Sequence, residues 1–150
     1  MKRHPALTRL SREHHSALVL AKHALRASGG ELGAVSHFVA EVGRIFARDL
    51  EPHFQFEEKL LLPALLSVGQ FSAVERTLAE HAELRSLAIQ PGINQPEILR
   101  RFSEALAEHV RFEERELFPL AESTLQEETL ESIRAGTATP SSIERLITDN

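Results

Sequence analysis

The chain has no cysteine, no tryptophan and no tyrosine, and its aromatic residues, 5% of the total, are all phenylalanine. Without cysteine there is no disulfide, no thiolate metal ligand and no thiol nucleophile, which fits a reducing cytoplasm, the expected location. Without tyrosine a tyrosyl radical is excluded. Glycine and proline number seven each in 150 residues, and runs of β-branched residues are missing, so the balance favours helices. The most apolar run, Leu60 to Leu66, is far shorter than the roughly 20 residues needed to span a bilayer. The basic start, Met1-Lys2-Arg3-His4-Pro5, leads into no stretch of signal-peptide kind. The net charge of −5 and the scattered arginines form no basic face, so neither nucleic acid nor a membrane is an expected partner.

What the chain has in excess is histidine, with eight residues, and two of them open a stretch that occurs twice. The first copy reads His53-Phe54-Gln55-Phe56-Glu57-Glu58-Lys59-Leu60-Leu61-Leu62-Pro63, and the second reads His109-Val110-Arg111-Phe112-Glu113-Glu114-Arg115-Glu116-Leu117-Phe118-Pro119. Histidine, phenylalanine, two glutamates, a basic residue, leucine and proline recur in register. On a helix, residues four apart lie about 40° apart around the axis and about 6 Å along it. Each copy therefore aims an imidazole and a carboxylate at one spot.

Hydrophobic periodicity puts both copies on helices. The first helix is expected over residues 8–28, capped by Thr8 and stopped by Gly29-Gly30, with Leu7, Leu10, His14, Ala17, Leu18, Ala21 and Leu25 inward. The second runs from about Glu31 to Leu62 or beyond, with Gly43 weakening its middle, a kink at Pro52 and a kink or end at Pro63. A third, over residues 73–89, carries Val74, Leu78, His81, Leu84 and Ala88 inward, and Gln90-Pro91-Gly92 marks the next loop. The fourth, over residues 95–122, carries Ile98, Phe102, Leu106, His109, Glu113, Leu117 and Leu120 inward. A short helix over residues 125–134, a stop at Gly136 and a capped apolar segment at Ser141 to Ile147 follow. The expected fold is all-α: an antiparallel up-and-down four-helix bundle over residues 1–124, with a short C-terminal helical extension over residues 125–150.

Six polar side chains interrupt the inward stripes: His14, His53, Glu57, His81, His109 and Glu113. One histidine on an apolar face is ordinarily a satisfied core residue, and one His-x-x-x-Glu pair is ordinarily a surface pair worth a few tenths of a kcal/mol. The ensemble is different. An unpaired buried carboxylate costs several kcal/mol, and no lysine or arginine shares the stripes to neutralise two of them. A pair of cations bridged by both carboxylates accounts for all six. His15, beside His14, has the poorer stripe partners and is the lesser candidate. Glu58 and Glu114 point about 100° off the ligand face and are expected to be solvated or paired with basic residues. Glu58→Ala should then keep the metal that Glu57→Ala and Glu113→Ala lose. Asp49 is expected in a surface ion pair rather than orienting an imidazole. His4, His23 and His37 fall on the surface, and Phe56 and Phe112 are expected to wall the site from water.

With Glu13-His14, His53-Phe54-x-x-Glu57-Glu58, Glu80-His81 and His109-x-x-x-Glu113-Glu114, the chain resembles the hemerythrin-like, or HHE cation-binding, family over about Leu7 to Leu120. The resemblance implies a helical bundle holding two iron ions, oxo- or hydroxo-bridged, with Mn or Zn suited to the same donors. It also implies Glu57 and Glu113 as bridges and His14, His53, His81 and His109 as terminal ligands. Oxygen-carrying hemerythrins have a second histidine one turn before the third-helix ligand, where this chain has Thr77, and an aspartate one residue later on the fourth helix, where it has Glu113. Thr77 is a poor iron ligand, so by the resemblance at least one iron would have an open or water-filled position, which weighs against simple reversible oxygen carriage.

The leading expectation is a non-haem di-iron protein that binds or reacts with O₂, peroxide or NO. The alternative is an iron-responsive regulatory module, without turnover, that signals to a protein partner through its C-terminal segment. Metal storage fits less well, because six fixed ligands suit a retained cofactor. Four histidines with two carboxylates neutralise little charge and favour modest redox chemistry over demanding C–H oxidation. No Ser-His-Asp grouping or phosphate-binding loop competes, and no residue is assigned a catalytic role.

Overall fold

In the computed structural model, which describes residues 2–89 and 94–136, helix α1 (Pro5–Ala27) begins ahead of the expected cap. His4 takes that place: its Nδ1 accepts the backbone N–H of Ala6 at 3.0 Å, and Pro5 supplies a first position that needs no N–H. The Thr8 hydroxyl instead donates to the His4 carbonyl at 3.1 Å. His4 is thus half-buried rather than a plain surface residue, and its Nε2 lies 3.0 Å from Glu127.

Four further helices follow: α2 over residues 32–67, α3 (Phe71–Ala88), α4 over residues 95–124 and α5 (Glu127–Ala135). No strand occurs among the described residues, and no helix there is long and apolar enough to cross a membrane. The expected loop residues Gln90-Pro91-Gly92, the 137–140 linker and the Ser141 to Ile147 segment lie outside the described residues. Gly136 ends α5 at φ 69°, a left-handed conformation that glycine adopts without steric cost.

Neither Pro52 nor Pro63 ends its helix; of the two expected outcomes at Pro63 the helix does not stop there, and α2 runs on to Ser67. Proline lacks the N–H of the ladder, and its ring presses on the carbonyl one turn back. Here the preceding turn widens to the i→i+5 form each time: Phe46–Leu50 before Pro52, Glu57–Leu61 before Pro63 and Glu113–Leu117 before Pro119. A π-turn of this kind absorbs the missing bond while the rod continues. Two of the three open on the glutamates of the repeated stretch. Gly43 has a packing role, because a Cβ there would stand 3.3 Å from the Ala88 carbonyl of α3.

Consecutive rods run antiparallel, as the two apolar layers show. One layer collects Ala17 to Ala24 of α1, Val35 to Phe54 of α2, Leu84 to Ala88 of α3 and Leu99 to Val110 of α4. The other collects Leu7 and Leu10 of α1, Leu60 to Leu65 of α2, Val74 of α3, Phe112 to Ala121 of α4, and Leu130 and Ile133 of α5. Leu18, Leu25 and Leu78, expected inward, are among the exposed apolar residues, while Leu20, Ala24 and Thr77 are buried instead. The real stripe of α1 steps 7, 10, 14, 17, 21, 24, a narrow seam that leaves its flanks to solvent.

Helix α5 packs on the second layer with Ile133 fully buried. Ile133→Ala is expected to destabilise the whole bundle by about 2–5 kcal/mol, read from the urea midpoint. An unchanged midpoint would show that α5 unfolds on its own.

Candidate metal centre

Between the two apolar layers each rod turns polar. His14, His53, Glu57, His81, His109 and Glu113 are all buried there, on α1, α2, α3 and α4. His53 Nε2 lies 3.2 Å from Glu57, and His109 Nε2 lies 3.3 Å from Glu113, the i,i+4 pairs of the repeated stretch. Across the bundle, His14 Nε2 stands 2.8 Å from Glu113 and His81 Nε2 stands 3.0 Å from Glu57. All six sequence candidates therefore share one interior.

The donors fall into two groups: His14, His53, Glu57 and Glu113, and Glu57, His81, His109 and Glu113. Within each group the ligand atoms lie within 4.8 Å of one another, so each could hold one ion, and both carboxylates belong to both. Four of the atoms involved, His53 Nε2, Glu57 Oε2, His109 Nε2 and Glu113 Oε2, are buried with no hydrogen-bond partner. Orphaned polar atoms at such depth cost about 1–3 kcal/mol each, and a cation among them removes that cost. The residues present fit a metal.

Each imidazole uses its other nitrogen on a carboxylate from a neighbouring rod. His53 Nδ1 donates to Glu13 at 2.9 Å, His81 Nδ1 to Glu58 at 2.6 Å, His109 Nδ1 to Glu80 at 2.7 Å and His14 Nδ1 to Glu114 at 2.7 Å. The links run α1 to α2, α2 to α3, α3 to α4 and α4 back to α1, a closed ring. Because an ionised carboxylate only accepts, each ring keeps its proton on Nδ1 and offers Nε2 to the interior. Glu58 and Glu114 do meet the expected basic residues, Arg85 at 2.8 Å and Arg3 at 3.4 Å, but they hold imidazoles as well. The sequence led to the expectation that Glu58→Ala keeps the metal; with Glu58 on His81 Nδ1, the expected outcome becomes weaker metal binding.

Glu13 and Glu80 stand beside His14 and His81 in the sequence, yet each serves the histidine of another helix. The adjacency was visible in the chain; the partner was not. Removing one such carboxylate, as in Glu80→Ala, should weaken metal binding by about 10–100-fold while the fold survives, as measured by chelator competition.

Charge follows the same geometry. Burial works against protonating His81, but Glu113, Glu57 and Glu58 outweigh it and push its pKa up to about 10. His109 is likewise opposed by burial and pushed up to about 9 by Glu113, Glu80 and Glu57. His14 and His53 also rise, and burial is again the opposing influence. Glu113 is held well below the carboxylate range although burial alone would raise it, because His109, His14 and His53 surround it. Without metal, imidazolium rings supply the positive charge that the carboxylates require.

Phe56 and Phe112, expected to wall the site, make no ring contact with its histidines; they belong to the second apolar layer and lie under arginines, Arg9 4.2 Å from the Phe56 ring and Arg76 4.0 Å from that of Phe112. Phe54 stacks on His81 at 3.9 Å and meets His109 edge-on at 5.5 Å, and Phe118 stacks on His14 at 5.3 Å. Both are positions where the two copies differ, Val110 opposite Phe54 and Leu62 opposite Phe118, so the repeat held no sign of them. Asp49 pairs with Arg48 on the surface and His23 and His37 are exposed, as expected, and His15, the lesser ligand candidate, is exposed too. Thr77 is buried one turn before His81, with its hydroxyl donating to the Ala73 carbonyl at 2.7 Å.

No curated protein and no solved structure gives a significant match to the chain. The sequence model of the hemerythrin HHE cation-binding domain matches residues 6–121, from the start of α1 nearly to the end of α4. Those residues contain the whole buried histidine–glutamate cluster, so by sequence and by site alike the chain belongs to the hemerythrin HHE cation-binding family.

Proposed function

We propose that the chain is a non-haem di-iron protein that binds or reacts with O₂, peroxide or NO in the cytoplasm. His14 and His53 would serve one ion and His81 and His109 the other, with Glu57 and Glu113 shared. The observation that carries this reading is the double membership of both carboxylates, which gives two overlapping donor sets rather than one crowded set. Nitrogen and carboxylate donors suit iron, and Mn or Zn would find the same atoms. Four protein donors per set are fewer than an octahedral iron takes, which leaves room for a small ligand. Iron there would supply one-electron redox chemistry and an open position for that ligand. The chain's own residues do the rest: four carboxylates orient the imidazoles, and Phe54 and Phe118 keep bulk water off two of them.

The test is metal analysis and an absorption spectrum of protein purified without chelator, followed by exposure to O₂, peroxide and NO. With neither Trp nor Tyr in the chain, near-ultraviolet bands of a ferric centre stand clear of protein absorption. Iron at two per chain and a spectrum altered by one of the three ligands is the expected result. An iron-loaded protein indifferent to all three would refute the reading.

One contact favours a second reading, an iron-responsive module without turnover. Glu114, which orients His14, also meets Arg3, and Arg3 reaches Glu122 at 2.7 Å. Beside it, His4 pairs with Glu127 at the start of α5, so the site connects to the helix that leads into the C-terminal segment. In this reading a protein partner reads that segment. Equal protease sensitivity of the segment in metal-free and loaded protein would rule it out.

A further inference from the structure

The four carboxylates of the ring are not equally held. Glu58 accepts from Arg85 at 2.8 and 3.2 Å, Glu80 from Arg76 at 2.9 Å, and Glu114 from Ser11 at 2.7 Å with Arg3 at 3.4 Å. Glu13 has no arginine or lysine within ion-pair distance among the described residues, and His53 is its only hydrogen-bond partner there. Its side chain is 43% exposed, against 21% for Glu58, 22% for Glu80 and 32% for Glu114. An exposed carboxylate with one partner swings on its side-chain rotamers, whereas the other three are pinned from two sides.

Glu13 also forms part of a groove. Between α1 and α2 lies a hollow of about 380 Å³, lined by Glu13, Ser16 and Leu20 on one side and on the other by Pro52 and by Asp49 and Arg48, which pair with each other at 2.9 Å. Glu13 both lines the groove and holds His53 Nδ1 at 2.9 Å, so Glu13 is the side chain that stands between the groove and that imidazole. The larger hollow at the N-terminus, about 580 Å³, is rimmed by Lys2 and Arg3 and includes none of the four carboxylates. The hollow between α3 and α4, about 290 Å³, ends on Glu80, which Arg76 and His109 clamp.

We propose that the groove between α1 and α2 is the way in for a divalent cation, with Glu13 as its movable gate over His53. This rests on the metal-centre reading above and adds the route by which the centre fills. Glu13 swings off His53 to let the hydrated cation pass and returns to His53 once the ion is seated. Bonds form between the ion and its ligands, water leaves the ion's shell, and the protons carried on Nε2 of the metal-free imidazoles pass to solvent. The other three links stay shut because each would have to break an arginine or serine contact along with the imidazole bond.

A plug separates a route from a ligand. Ser16 is exposed in the groove and touches none of the six donors, so Ser16→Trp fills the passage and leaves the centre intact. Glu104→Trp, in the hollow that ends on Glu80, is the matched control. Uptake of Co(II) by metal-free protein is followed by absorbance, its extraction by EDTA gives the reverse rate, and equilibrium titration gives affinity. Ser16→Trp should slow uptake and extraction alike, on the order of tenfold, at unchanged affinity, while Glu104→Trp keeps the wild-type rates. Glu13→Ala, which removes the gate, should load at least as fast as wild type and hold Co(II) more weakly. Wild-type rates in Ser16→Trp, or slowing by Glu104→Trp instead, would overturn the route while leaving the centre standing. Affinity falling in step with the uptake rate would also overturn it, because a plug acts on both directions equally. Wild-type protein that takes up no Co(II) would overturn the metal-centre reading, and the route with it.

Discussion

Glu113→Ala is expected to abolish metal binding and to destabilise the metal-free bundle by about 3–5 kcal/mol, the usual cost of stripping one partner from a buried ionic cluster. Glu113 is the hub of the site. Its carboxylate lies 2.8 Å from His14, 3.3 Å from His109, 3.7 Å from His53 and 3.9 Å from His81, whereas Glu57 approaches only His53 and His81. Without it the imidazoles lose the charge that holds their protons, and both donor sets lose a member at once. The pKa of His109 should fall from about 9 toward the ordinary histidine range, since Glu113 heads the influences that raise it against burial. Glu57→Ala should also lose metal, with a smaller cost to the metal-free fold. Metal analysis, urea unfolding and an NMR titration of the imidazoles check the three parts. Stoichiometric metal retained in Glu113→Ala would remove the bridging assignment.

Between about pH 6.5 and 10 the metal-free protein should lose stability as pH rises, whereas the metal-loaded protein should hold nearly level. In the metal-free chain His81 and His109 hold their protons up to about 10 and about 9, while an unfolded histidine releases its proton near 6.5. The stabilisation from these raised values is complete below about pH 6.5 and is lost as pH climbs through the folded pKa values. Within the window each such imidazole should cost roughly 1.4 kcal/mol per pH unit. The carboxylates act at the other end. Glu113, Glu58, Glu80 and Glu114 are held below the ordinary value although burial opposes it, and Glu13 is held low chiefly by His53, so their contribution fades as pH drops below about 4.5. A metal ion needs Nε2 free of its proton, so loading releases protons and tightens as pH rises. Thermal unfolding with and without chelator from pH 5 to 10 should show the metal-free midpoint falling while the gap to the loaded protein widens. Parallel profiles would mean that the imidazoles do not exchange protons for metal. Calorimetric titration with Co(II) in buffers of different ionisation enthalpy counts the protons independently.

Much of the site was legible because helical geometry is local. An imidazole and a carboxylate four residues apart face the same way on any helix, so His53–Glu57 and His109–Glu113 could be paired from the chain alone. His14 and His81 stood out because each interrupts an apolar stripe. The same reasoning failed where a wide stripe had to be trimmed to a seam: Leu18, Leu25 and Leu78 satisfy helical spacing but sit on the flank that no neighbouring rod covers. At the prolines spacing left a kink or an end open at Pro63, and a widened turn that keeps α2 running through it was not legible in the chain.

The chain by itself determined an all-helical fold and a set of six polar side chains on the inward stripes. Both follow from periodicity within single helices. Only the tertiary structure decided which rod stands beside which, and at what rotation. Glu13 reaches His53 and Glu80 reaches His109 because neighbouring rods bring those faces together, and Phe54 and Phe118 cover imidazoles for the same reason. Side chains that meet across a bundle are fixed by how helices pack, and that packing depends on every residue in the seam rather than on the spacing of any two.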